Sequence, residues 1–202
     1  MYRVYDYLPS GNGYKVRLVL KYLLLPYELI ELNIKEGATR TPEFLAKNPN
    51  GRIPLLEVAG EGYLPESHAI IGYLAEGSDL VPEARFERAR MWHWMCFEQY
   101  HLEPNLGTLR YWLHSLKMTR TELGEKLLEK KKNGYAALDV LESGLTGRDF
   151  LVANRYSLAD ISLFAYTHVA HEGGFDLAPY PNIRAWCQRV QEQPRWAPIT
   201  EA

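Results

Sequence analysis

Residues 6–23, DYLPSGNGYKVRLVLKYL, decide how the chain is read. Strand formers lead in from Arg3, Pro9 breaks the run, Gly11 and Gly13 flank Asn12, and an apolar helical period takes over from Tyr14. A P-loop is excluded, because it needs Gly-x4-Gly-Lys followed by Ser or Thr, whereas Tyr14 and Lys15 follow the glycines here. The dinucleotide pattern G-x-G-x-x-G is absent as well. What remains is a helix N-terminus, with free backbone N–H groups and a positive dipole end, beside the hydroxyl of Ser10 and the amide of Asn12. Such a place suits an anion.

Outward from this stretch, YELIELNI (27–34) alternates apolar and polar residues with the period of a strand and closes a β-α-β unit. TPEFLAKN, with Pro42 at its start, reads as a short helix, IPLLEV and YLP as strands around the turn AGEG, and SHAIIGYLAEG as a helix. The order is β-α-β-α-β-β-α. From about Glu83 strand patterns vanish, so the expected fold class is α/β plus all-α: an α/β domain over 1–77, a linker over 78–83 with Ser78 and Pro82, and an all-helical domain over 84–202. Pro104 is expected to kink or split the helical run 84–116. Leu123, Leu127, Leu128, Ala137, Leu138 and Leu141 are expected on one helical stripe, and the charge run EKKKN on a solvated face.

Of the 202 residues 47% are hydrophobic and the formal charge is -2, which leaves no basic excess for a nucleic-acid backbone. No apolar run reaches the roughly 18 to 20 residues of a membrane span, and MYRVYDYLPS has neither the basic start nor the apolar stretch of a signal peptide, so a cytoplasmic protein is expected. Cys96 and Cys187 fall in segments read as buried helix faces and are expected to be structural thiols, without a disulfide. Ser157 and Asp160 have capping-box spacing ahead of an apolar run. His168 and His171 stand three apart on that helix, but no third ligand is spaced to join them, so no metal is expected.

Four segments in order, SGNGYKVRLVL, NPNGRIPLLE, LPESHAIIGYL and SLADIS, resemble the cytosolic glutathione S-transferases, in particular a bacterial serine-type member. The likeness spans essentially the whole chain. It implies a thioredoxin-like N-terminal domain, an all-helical C-terminal domain, and a homodimer with one site per subunit.

On that resemblance, Ser10 corresponds to the serine that donates a hydrogen bond to the sulfur of bound glutathione, the co-substrate. Making thiolate the major form at pH 7 needs a drop of about two pKa units, or about 2.7 kcal/mol. One bond to a charged acceptor contributes roughly 1.5 to 3 kcal/mol and a helix N-terminus roughly 0.3 to 1, which together suffice. Read without the family, Ser10 simply caps the helix. Asn12 either adds a second donor or eases an unusual turn. Tyr5 and Tyr7, on the strand where other branches carry a catalytic tyrosine, are expected to pack. The resemblance further implies a cis Pro54, with Ile53 pairing its backbone to the cysteinyl part of glutathione as an added strand. It places Glu66 on the γ-glutamyl amino group and Ser67 on the γ-glutamyl carboxylate; alone, Ser67 reads as a plain N-cap. Two positions depart from the family pattern. His68 stands where several relatives have arginine, and Arg52 either meets the glycyl carboxylate or is solvated. Phe97, Tyr100, Tyr111 and Trp112 are candidate walls for an apolar electrophile between the domains, against core packing as the alternative. The implied activity is conjugation of the thiolate to an electrophilic carbon. The rivals are a glutathione-dependent disulfide reductase or peroxidase, and a non-catalytic glutathione-binding or scaffold module.

Overall fold

A computed structural model describes residues 1–202 and forms two compact units, Met1–Ser78 with Pro194–Ala202, and Asp79–Gln193. In the first, the strands β1 (Tyr2–Asp6), β2 (Tyr27–Glu31), β3 (Leu55–Val58) and β4 (Gly62–Pro65) lie in the order β2-β1-β3-β4. β2 runs parallel to β1, and β3 is antiparallel to both β1 and β4. The helices are α1 (Gly11–Tyr22), α2 (Pro42–Lys47) and α3 (Ser67–Leu74). The chain order is the β-α-β-α-β-β-α read from the sequence and the domain is the thioredoxin-like one that the resemblance implied, with Val4, Leu55, Leu56, Val16, Val19, Leu20, Ile70 and Ile71 in its core.

α1 starts three residues before Tyr14, where the apolar period alone put it. Ser10 takes extended dihedrals and its Oγ accepts from Gly13 N–H, which draws both glycines into the helix. The other end falls at Tyr22, because Leu24 adopts φ +55 and Leu25 N–H returns to Leu20 C=O.

The second unit is helical throughout. α4 (Arg85–Phe97) continues as a wide π-helical stretch over Glu98–Gly107, a short α5 (Thr108–Arg110) and a second π stretch over Tyr111–Ser115. Pro104 therefore does not split the run. It sits inside the π stretch, whose altered bonding register accommodates a residue without an N–H. A capped turn, α6 (Arg120–Leu123), breaks at Gly124 with φ +51 and leads to α7 (Glu125–Gly144). Leu128 is 69% exposed and so lies off the expected stripe; Gly134 replaces it there, since a Cβ at Gly134 would collide with the Phe175 ring. Nor is EKKKN wholly solvated: Lys131 bonds the Gly174 carbonyl and lies 4.3 Å from the centroid of Phe175.

α8 (Leu158–Thr167) is buried along its full length, and α9 (Pro181–Gln191) follows a 3-10 turn at Ala170–Gly173. Asp160 accepts the N–H and hydroxyl of Ser157, the N–H of Leu151 and the indole N–H of Trp186, the structural role read from the spacing. Leu80 is buried, and its carbonyl accepts from Leu158 N–H at 3.1 Å.

Candidate active site

Register brings three segments to one end of the sheet. Tyr5 pairs with Leu55 and Leu55 with Pro65, so Asp6, Pro54 and Glu66 lie one step beyond, side by side. The chain leaves β1 there for Ser10 and α1, and leaves β4 there for Glu66 and α3.

Ser10 is half-buried. Its oxygen takes the Gly13 N–H at 3.2 Å, its own N–H goes to the Tyr7 carbonyl at 2.7 Å, and its hydroxyl proton is left to donate. Capping and donating are thus compatible in one group. Asn12, half-buried in the first turn, accepts at Oδ1 from Lys15 Nζ at 2.8 Å and from Ser67 Oγ at 3.4 Å. That second bond ties the N-terminus of α1 to the N-terminus of α3.

The Ile53–Pro54 peptide is cis, and the paired part of β3 begins only at Leu55, leaving Ile53 ahead of the ladder. Asn48 shapes the approach: its Nδ2 donates to Arg52 C=O at 2.8 Å and its Oδ1 accepts from Asn50 N–H at 3.1 Å. Gly51, at φ +62, lies where any Cβ would strike Arg40. The Arg52 side chain is exposed. Glu66, also exposed, holds φ +71 and ψ +115, a backbone state that costs a non-glycine residue about 1 to 3 kcal/mol. Ser67 is buried at the first position of α3.

Tyr5 is committed elsewhere. Its hydroxyl donates to Glu57 at 2.6 Å, its ring meets Phe44 and Tyr63, and burial together with the Glu57 carboxylate pushes the phenol up to about 12.

Three buried charges in this region escaped the sequence reading. Asp6 pairs with Arg17, and Arg17 Nη2 also donates to Leu8 C=O at 2.7 Å, which steadies the loop that delivers Ser10. Burial pushes the Asp6 carboxyl up to about 7, against the opposing pull of Arg17. Lys15, wholly buried, joins Asn12 and lies 3.4 Å from His68 Nε2. The signal was present in the run YKVRLVL: two cations inside an apolar helix buried on every face need polar partners.

In the second unit, Phe97 ends α4 half-buried, its ring 5.5 Å from Trp94 and 5.2 Å from His101. Tyr100 is 82% exposed, Tyr111 sits at the edge of exposure and Trp112 is half-buried. Cys96 is exposed, contrary to expectation, because the buried stripe of α4 runs through Met91, Trp94 and Met95 and leaves it outside. Cys187 is half-buried, its thiol pushed up to about 12 by burial. His168 stacks on Phe164 at 4.4 Å and its Nδ1 lies 2.7 Å from the Phe164 carbonyl, a structural engagement.

Residues 1–76 match the glutathione S-transferase N-terminal domain family and residues 90–194 the C-terminal domain family. The crystal structure of a glutathione S-transferase from Pseudomonas fluorescens superposes with a TM-score of 0.96 at 47% identity, covering 99% of each chain. That of a possible glutathione S-transferase from Rhodopseudomonas palustris also gives 0.96, at 45% identity over 100% of this chain and 98% of the other. The disulfide-bond oxidoreductase YfcG of Escherichia coli is 32% identical over 93% of this chain and 89% of its own. With a thioredoxin-like sheet followed by a helical unit, and each half matching its own domain in order, the chain belongs to the glutathione S-transferase family.

Proposed function

We propose that the protein is a serine-type glutathione transferase that binds glutathione at the sheet end described above and conjugates its thiolate to an apolar electrophile. The observation that carries this reading is the joining of two helix N-termini through Asn12 and Ser67, with Ser10 at one start and Glu66 and Ser67 at the other. Two anions of one tripeptide, thiolate and γ-glutamyl carboxylate, suit two adjacent dipole ends. In this reading Ser10 and Asn12 donate to the sulfur, Ile53 pairs its backbone with the cysteinyl unit, and Ser67 holds the carboxylate through its backbone N–H at the start of α3, its hydroxyl proton being given to Asn12. Glu66 takes the γ-glutamyl ammonium, and Arg52 faces the glycyl carboxylate.

The thiolate forms a bond to the electrophilic carbon as the leaving group departs with its electron pair, and the thiol proton goes to solvent. Phe97, Tyr100, Tyr111 and Trp112 are proposed to receive the electrophile, and the working form is proposed to be a homodimer in the cytoplasm.

A second reading is favoured by the relative named as a disulfide-bond oxidoreductase. The same thiolate would attack the sulfur of a mixed glutathione disulfide, giving oxidised glutathione and releasing the other thiolate.

Calorimetry with glutathione, then turnover of an aryl halide, a peroxide and a mixed disulfide, tests these readings. Binding with aryl halide turnover is expected. Turnover of the disulfide alone would replace the first reading by the second, and absence of glutathione binding would overturn both.

A further inference from the structure

Lys15 is 0% exposed, and an ammonium withdrawn from water requires strong acceptors around it. Its Nζ lies 2.8 Å from Asn12 Oδ1, one helical turn earlier on the same face. A lysine ammonium only donates, so the Asn12 atom facing it must be the amide oxygen. Ser67 Oγ approaches the same oxygen at 3.4 Å. An amide oxygen accepts two hydrogen bonds, and here both directions are taken. The Asn12 amide is thereby fixed in one of its two flips, and both Nδ2 hydrogens point away from Lys15 and Ser67.

We propose that Lys15 is a positioning residue for Asn12: it locks the amide so that Nδ2–H faces the bound thiolate, and by drawing electron density to Oδ1 it makes that N–H a stronger donor. The proposal rests on the thiolate reading of the site. It assigns Lys15 no contact with the ligand, because a wholly buried group offers no surface to one, whereas Asn12 is half-buried and does. His68 Nε2, at 3.4 Å, is the neighbour of Lys15 on the α3 side.

The test is Lys15→Met, which keeps the length of the stem and removes the charge, read through the ultraviolet absorbance of the bound glutathione thiolate as a function of pH. The pKa of the bound thiol should rise by about one unit, a tenfold loss of thiolate at a fixed pH below it. S-methylglutathione, which carries no thiol proton, should bind within about twofold of the wild-type affinity, since a factor of two is well under 1 kcal/mol. In an Asn12→Ala background the same substitution should leave the thiol pKa unchanged, because the group it acts through is gone. Should Lys15→Met fail to fold, Lys15→Gln retains a neutral donor and should give a smaller rise in the same direction.

A bound thiol with wild-type pKa in the folded variant would overturn the proposal. So would a shift that persists without Asn12, or a tenfold loss of S-methylglutathione affinity, which would mean direct contact with a carboxylate of the tripeptide. If the wild-type protein itself does not lower the thiol pKa below that of free glutathione, the thiolate reading fails instead, and the two failures are told apart by which protein shows them.

Discussion

Ser10 makes one oxygen serve two purposes, and its removal should show both. Ser10→Ala loses the N-cap of α1, worth about 1 kcal/mol, and the donor to the sulfur, worth roughly 1.5 to 3 kcal/mol. The expected result is kcat lower by roughly 10- to 100-fold, a glutathione Kd changed far less, and a melting point lower by a few degrees. Steady-state kinetics beside calorimetry checks this, and an unchanged kcat would move the role to Asn12. Glu66 carries the opposite balance, since its φ of +71 is held at a cost. Glu66→Gly should raise stability by up to about 1 kcal/mol, the relief of strain being offset in part by glycine's unfolded-state entropy, while weakening glutathione binding roughly tenfold. Denaturant melts and calorimetry on the same preparation decide it; loss of stability together with intact binding would remove Glu66 from the site. The breaks at which Ser10, Pro54, Glu66 and Ser67 stand were legible because Pro, Gly or a cap residue marks them in the sequence, whereas the roles proposed for these residues came from the family resemblance. Lys15 and Arg17 stand out as two cations in an apolar run, but their burial against His68 and Asp6 was not legible, because those partners lie outside that run.

Elements obeyed the sequence where period and cap agreed and shifted where they competed. The early start of α1 shows a cap overriding an apolar period, and Gly13 is needed there for space: a Cβ would overlap the Asp6 carboxylate that Arg17 holds in place. In the helical unit the positions of the helices were legible, but the π stretches were not, because their wider turn bends the 3.6-residue period without breaking it. The same reading left Cys96 on the wrong face. α8 offers a pH test. Burial lowers His168 to about 4, with Arg110 adding to the effect and the Phe164 carbonyl and Glu172 opposing it. In acid the unfolded chain takes up this proton first, so the contribution of neutral His168 is present above pH 6.5 and lost as pH falls toward 4. His168→Asn abolishes that titration. The stability of the wild type relative to the variant should therefore fall by up to about 3 kcal/mol between pH 7 and pH 4. Asp160, raised to about 6, and Asp6, raised to about 7, have the opposite sign, and both cancel in the comparison because both proteins carry them. Urea melts at several pH values measure the difference, and a difference independent of pH would place His168 in contact with solvent.

At the scale of the molecule, the least legible feature is the return of the last residues to the first unit. PRWAPITEA shows no strand or helix period, yet Ala197 and Ile199 are buried. Ala197 C=O accepts from the Tyr14 hydroxyl at 2.6 Å, and Ile199 C=O from Arg17 Nη2 at 2.8 Å. Glu201 pairs with Lys21 at 2.7 Å, and Arg195 donates to Tyr22 C=O at 3.0 Å. All four partners lie on α1, so the segment braces the helix whose N-terminus carries Ser10. Arg17 is the common member, since it also holds Asp6 and the Leu8 carbonyl of the Ser10 loop. Deleting residues 195–202 should thus act on stability and on the site together. Burial of Ile199 contributes about 1.5 to 3 kcal/mol and each of the two buried bonds about 1, for a loss of roughly 3 to 5 kcal/mol. In a chain of this size that is a melting point lower by roughly 10 °C. Glutathione affinity should fall as well, because the loop loses a restraint. Ile199→Ala separates the two effects: it keeps the backbone carbonyl on Arg17, so it should cost about 2 to 4 kcal/mol of stability while the affinity of the folded protein stays near that of the wild type. Equal losses of affinity in both variants would mean that packing, and not the Arg17 bond, links the end of the chain to the site.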